Sequence, residues 1–149
     1  MNSPAAPSSV NVPIHLWIMG VVSLLWNCFG ATDYLMTQLQ IEAYMSQFSQ
    51  EQLTYFYGFP AWANAAWALG VWGSVLGSVG LLLRQRWAVW AFAASILGLI
   101  GTSIYTMVLT NGHAVMGGMS AVMFSIVIWV ITIGLFLYAR WMSARGVLR

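Results

Sequence analysis

Charge is what this sequence has least of. Only 5% of its 149 residues are charged: five arginines, three acids and no lysine. An ordinary globular domain carries about 25% charged residues, so a water-soluble globular protein is excluded and lipid must be the solvent for most of the chain. A single cysteine, Cys28, excludes an intrachain disulfide. His15, His113 and that cysteine are too few and too scattered to ligate a metal or haem, so no metal and no cofactor is expected. There is no nucleophile elbow, Walker loop or dinucleotide fingerprint, and an enzyme is not expected. Five arginines form no patch for nucleic acid, and membrane lipid is the partner expected for them. The first thirteen residues lack the positive region of a secretory signal. They read as a disordered tail (1–13) before a retained membrane helix.

What the chain has in quantity is apolar sequence, at 60% of residues. About 20 consecutive apolar residues cross the hydrocarbon as a helix. Four stretches qualify, at about 14–36, 61–83, 87–109 and 116–139. The expected fold is therefore an all-α membrane protein, a four-helix transmembrane domain over 14–141 with a short basic tail at 142–149. Four crossings put both termini on one side. Arg84 and Arg86 then share a side with Arg140, Arg145 and Arg149, and the positive-inside rule makes that side cytoplasmic. Trp17, Trp87, Trp90 and Trp141 near those ends, and Tyr55, Phe56, Tyr57, Phe59 and Trp62 near the others, suit the headgroup layers.

The connection at 37–60 is the one substantial non-membrane piece. Ile41, Met45 and Phe48 recur at helical spacing, and Ser49 with Gln52 has the form of a capping box. Pro60 suits the first position of the second span. One or two amphipathic helices on the outer leaflet are predicted, and a lid over an opening between helices is the alternative.

Small residues recur along the spans. Gly70, Gly73, Gly77 and Gly80 line one face of the second, with comparable stripes in the first and third. Such stripes permit close helix approach. They serve either packing within one bundle or a dimerisation seam, and a homo-oligomer is expected. Gly80 to Trp87 also matches Gly134 to Trp141 in spacing, through either a duplicated hairpin or convergence at two arginine-bearing helix ends.

Polar groups at lipid depth are costly, so each is a candidate site. Asn27 falls near the midplane beside Trp26, with Trp72 and Trp129 at similar depth. An amide flanked by indoles suits a polar ring-shaped solute, as it suits an interhelical hydrogen bond. Trp26, Asn27, Trp72 and Asn64 are the candidate substrate-binding residues. Asp33 and His113, nearer the outer boundary, are candidates for a proton or cation site, or for plain helix-end structure.

The run Trp26-Asn27-x-x-Gly30-Ala31-x-Asp33-Tyr34-Leu35-Met36-Thr37-Gln38 resembles a group of small four-span inner-membrane proteins of proteobacteria. The resemblance continues through Tyr55-Phe56-Tyr57-Gly58-Phe59-Pro60-Ala61-Trp62 and Trp67-Ala68-Leu69-Gly70-Val71-Trp72-Gly73, covering most of residues 14–110. The fourth span and the tail match no pattern. Such proteins are often catalogued as sugar transporters. The resemblance thus implies a bacterial inner membrane, a four-helix fold and transport of a small polar solute. Residues of the matching stretch that would serve are Trp26, Asn27, Asp33, Tyr34, Trp62, Trp67 and Trp72. A non-transporting accessory, assembly or scaffold protein explains the same stripes and anchors without a special site.

Overall fold

The computed structural model describes residues 10–149, so most of the tail expected at 1–13 lies outside the described residues. The elements are α1 (Ile14–Gln38), α2 (Glu42–Met45), α3 (Gln50–Tyr57), α4 (Ala61–Leu82), α5 (Trp87–Ser103), α6 (Gly112–Val115) and α7 (Met119–Ala144). A π-helical segment, Ile104–Leu109, continues α5. α1, α4, α5 with its π segment, and α7 are each long and apolar enough to span a membrane. With 22 to 26 residues apiece, they measure roughly 33–39 Å at 1.5 Å per residue, against about 30 Å of hydrocarbon. The all-α, four-span architecture read from composition is the one that forms.

Local chemistry sets the boundaries. Pro13 and Pro60 sit at the N-caps of α1 and α4, where no N–H is needed; Pro60 is one position earlier than expected. Gly117 and Gly118 adopt φ of 124° and 64°, which most side chains cannot follow. They delay the fourth span from 116 to Met119, and it then runs past 139 to Ala144. Residues 37–60 fold into two short helices, and Ser49 and Gln52 form the reciprocal capping box at the start of α3.

Three spans end on a left-handed residue. After α1, Gln40 takes φ 50°; its N–H bonds Thr37 O at 3.2 Å and that of Ile41 bonds Met36 O at 3.0 Å. Arg84 takes φ 57° in the same pattern after α4, with Arg84 N to Leu81 O at 3.0 Å and Gln85 N to Gly80 O at 2.8 Å. Gly146 does so after α7 at φ 71°. Glycine is the usual occupant of this position. Gln40 and Arg84 hold it at a cost of about 1–2 kcal/mol each.

α4 is the central helix, packed most extensively on α5 and then on α1, while α7 rests on α5. The reason is glycine. A Cβ on Gly73 would lie 2.9 Å from Ala91 O and Ser95 N, and one on Gly98 2.8 Å from Gly70 Cα. Cβ atoms on Gly77 and Gly80 would run into Phe92 at 2.7 Å and Ala88 at 2.8 Å. The two backbones touch at Gly70 and Gly73, and side chains of α5 fill the space at Gly77 and Gly80, so the small face of α4 is occupied within its own chain. Gly134, the counterpart of Gly80 in the repeated octet, faces open space, and the two segments are not equivalent in packing.

Polar links join four of the helix pairs. Asn27 Nδ2 donates from α1 to Ser74 O (3.2 Å) and Ser78 Oγ (2.9 Å) of α4. Ser95 Oγ donates from α5 to Gly70 O of α4 at 2.6 Å. Trp129 Nε1 donates from α7 to Ser103 Oγ of α5 at 3.1 Å. His15 Nδ1 and Tyr138 Oη join α1 to α7 at 2.6 Å.

Apolar packing is concentrated at the end of the bundle that carries the arginines, the basic end. Leu16, Leu81, Phe92, Leu135, Met142 and Leu148 form one buried cluster there. Both ends of the described chain therefore meet at the same end of the bundle. Residues 145–149 turn back against the α4–α5 loop, where the Arg86 N–H donates to Arg149 O (3.0 Å) and the Arg149 N–H to Arg84 O (2.7 Å).

Candidate functional site

At the opposite, acidic end the 37–60 connection folds over the ends of α1, α4 and α5. Its fixings are aromatic and specific. Tyr55 of α3 shares a hydrogen bond with Thr110 Oγ1 at 3.1 Å, and its phenol lies directly against Gly112. Gln52 Nε2 donates to Val115 O at 3.2 Å. Phe59 packs on Tyr105 with ring centroids 4.5 Å apart, and Tyr105 lies in the π segment. Burial pushes the Tyr55 phenol up from its usual pKa, against the lowering effect of the bond to Thr110.

α2 is tied to α1 by Tyr44, whose hydroxyl donates to Asp33 Oδ1. The Tyr44 pKa is pushed up to about 12, first by burial, then by that hydrogen bond and the carboxylate charge. Asp33 thus has a tyrosine as its partner. His113 stands on α6, half-buried, and among the described residues no hydrogen bond or ion pair joins it to Asp33.

Between the end of α1, α3 and the first turn of α4 lies a polar cleft of about 170 Å³, lined by Thr37, Gln38, Gln40, Phe56, Tyr57 and Asn64. The left-handed turn at Gln40 places that residue beside the last turn of α1. Gln38 Nε2 donates to Asn64 Oδ1 at 3.0 Å across the α1–α4 junction, and Asn64 Nδ2 reaches Phe59 O at 3.4 Å. Thr37 is 3% exposed, and its hydroxyl is buried with no partner among the described residues. Leaving such a group unpaired is unfavourable. The lining combines three carboxamides, two hydroxyls and two aromatic rings, with no carboxylate, lysine or arginine. It is equipped to exchange hydrogen bonds with a small uncharged solute.

A second concavity runs along α7 at Met116, Ser120, Ala121, Phe124 and Ser125. Its two serine hydroxyls donate back to Gly117 O and Ala121 O of their own segment, so they are not directed at a ligand.

Asn64 is the one candidate substrate residue in the polar cleft. Asn27 is buried and its amide donors go to Ser74 and Ser78. Trp72, two positions from Ser74 and so about 200° around α4, is exposed on another side. Trp26 is also exposed and tilts toward Phe124 of α7 at 6.3 Å. Gly70, Gly73, Gly77 and Gly80 face α5. Thr37, Gln38, Gln40, Phe56 and Tyr57 were not singled out by sequence reasoning as binding residues. The available signal was three polar residues, Thr37, Gln38 and Gln40, clustered where the first span stops. No group of three or more His, Cys, Asp or Glu that could hold a metal occurs among the described residues. Compared with protein-family models, curated proteins and solved structures, the chain finds no match.

Proposed function

We propose that this is a multi-pass bacterial inner-membrane protein that captures a small, uncharged, polar solute at its outer face, as the first binding site of a transport cycle. The basic end faces the cytoplasm under the positive-inside rule, which turns the polar cleft outward. The observation that carries the reading is the cleft's lining: Gln38, Gln40 and Asn64 amides around a buried Thr37 hydroxyl without a partner, with the Phe56 ring at one side. Amides and hydroxyls exchange donors and acceptors with a polyol, an aromatic ring accepts its apolar face, and the absence of a charged lining group favours a neutral, sugar-like ligand. The solute site is assigned to this cleft rather than to the midplane because Asn27 is buried between α1 and α4 with its amide bonded to Ser74 and Ser78, whereas three carboxamides line the cleft together. The close α4–α5 seam leaves no passage between those two helices. A route across the membrane would follow α1 and α7, or the boundary between copies in a homo-oligomer.

The test is titration of the reconstituted full chain with neutral monosaccharides and polyols, read by calorimetry and by uptake into proteoliposomes. Asn64→Leu is expected to abolish binding, and Asn27→Leu to leave affinity within about twofold, a change of ~0.4 kcal/mol. Binding that survives Asn64→Leu, or the absence of binding by any neutral polyol, overturns the reading.

One observation favours a second reading, an accessory or scaffold subunit. The most apolar window of α7 is only 11% buried, against 33% for α4. α7 therefore offers a long apolar face to a partner helix. A stoichiometric, unrelated membrane protein recovered after gentle extraction would favour this alternative.

A further inference from the structure

The basic end holds an arrangement that neither solute binding nor span topology requires. Arg149, more than sixty positions away in sequence, is brought beside Arg84 and Arg86 by two backbone hydrogen bonds, Arg86 N to Arg149 O at 3.0 Å and Arg149 N to Arg84 O at 2.7 Å. The side chains tighten the same unit: Arg84 Nε donates to Val147 O and Arg86 Nε to Leu148 O, both at 3.2 Å. Val147 and Leu148 are buried in the core cluster, so the segment is anchored.

Three guanidinium groups are thereby carried on adjoining backbone, and among the described residues no acidic side chain lies beside them. The acids of the chain, Asp33, Glu42 and Glu51, belong to the other end of the bundle. Arg145 and Arg140 have ring partners, with guanidinium carbons 4.0 Å from Trp141 and 5.8 Å from Phe136. Arg84 Nη2 is buried and finds no acceptor among the described residues, while Arg86 and Arg149 are exposed. Arg84 occupies its position despite a left-handed backbone that glycine would adopt without strain. Like charges on adjoining backbone repel, and a partly desolvated cation with no acidic side chain beside it is unfavourable.

We infer that Arg86 and Arg149, positioned by Arg84 and the 147–148 carbonyls, form a site for a phosphate-bearing anion at the basic end of the bundle. With both Nε–H groups of the loop arginines spent on carbonyls, the terminal nitrogens of Arg86 remain to fork onto phosphate oxygens, and Arg149 adds a second fork. The chemistry is shared by an anionic phospholipid headgroup at the membrane surface and by a free phosphate anion, and the experiment separates them. The inference does not depend on the solute reading.

The full chain is placed in nanodiscs of phosphatidylcholine alone or doped with phosphatidylglycerol. Retained lipid is measured by native mass spectrometry, and inorganic phosphate is titrated into the undoped discs by calorimetry. R86Q/R149Q is compared with R140Q/R145Q, which removes equal charge from the same end. Glutamine at position 86 can still donate to Leu148 O, and a melting curve checks that the fold survives. The site predicts about tenfold weaker anion binding in R86Q/R149Q and less than about twofold in R140Q/R145Q. R86K/R149K should fall between, because lysine keeps charge but not the fork. Selective retention of phosphatidylglycerol without phosphate binding assigns the site to lipid; phosphate binding in undoped discs assigns it to the free anion. Equal loss in the two glutamine pairs reduces the effect to a diffuse field and overturns the inference. So does a wild-type chain that binds neither probe.

Discussion

Replacing Gly98 by alanine tests the α4–α5 seam at its tightest point. The added methyl would lie 2.5 Å from Ala66 O and 2.8 Å from Gly70 Cα. Carbon atoms in good contact are about 3.5–4.0 Å apart, so the two backbones must part by roughly 1 Å at that level. Neither can yield as a side chain would, because the obstructing atoms belong to the opposing main chain. A gap of that size forfeits about a quarter to a half of each contact's dispersion energy. Overpacking of this kind costs about 1–3 kcal/mol. The nearby Ser95 Oγ–Gly70 O bond, 2.6 Å long, would be stretched as well, adding about 0.6–2 kcal/mol. The expected loss is therefore roughly 2–5 kcal/mol. Gly134→Ala is the matched control, since a methyl there meets nothing within 4 Å. It should be neutral or stabilising by up to about 1 kcal/mol. Reversible unfolding in mixed micelles measures both. Equal midpoints for the two variants would mean that the backbones are not in contact at Gly98, and the account of the seam would fail.

Asn27→Leu removes two interhelical hydrogen bonds and should destabilise the bundle by about 0.6–2 kcal/mol in the same assay. The Tyr44 phenol, raised to about 12 in the folded chain, ionises near its ordinary value of about 10 once α2 undocks. Its contribution is thus fully present below about pH 10 and is lost as pH rises toward about 12; phenolate absorbance should show a late phase near pH 12 whose amplitude Tyr44→Phe reduces by one phenol. Gln40→Gly relieves a left-handed side chain and should gain about 1 kcal/mol in stability, while weakening solute binding in a calorimetric titration because Gln40 lines the cleft. Leu148→Ala, at a fully buried position, should cost about 2–5 kcal/mol by denaturant unfolding and release residues 145–149 to protease.

The spans were legible because lipid imposes a length and a polarity on every crossing helix, and 14, 61 and 87 are the starts that hydropathy alone suggests. The start at Met119 was not, because the left-handed pair Gly117-Gly118 breaks a run whose hydropathy continues unbroken. The π segment at Ile104–Leu109 leaves no mark on apolar periodicity, since one turn of irregular winding is too short to register. The capping box at Ser49 and Gln52 was legible as local chemistry. Asn64 could be singled out as a polar residue at a helix start, but its partner Gln38 depends on how α1 meets α4. The junction of Arg149 with Arg84 and Arg86 has the same origin: a tertiary pairing between segments that share no periodic signal. Asn27 illustrates the opposite case, a residue conspicuous in sequence whose neighbours reveal an ordinary interhelical contact.

The concentration of the apolar cluster around Leu16, Phe92 and Leu148 has a consequence for how this molecule breathes. Cooperative units of a protein open in order of local stability. Amide exchange should be slowest in the turns next to Arg84 and progressively faster toward Thr110, so the four rods behave as prongs joined at a common handle. Any rearrangement gentler than global unfolding then begins among the prong tips, where Tyr55, Phe59 and Tyr105 interlock.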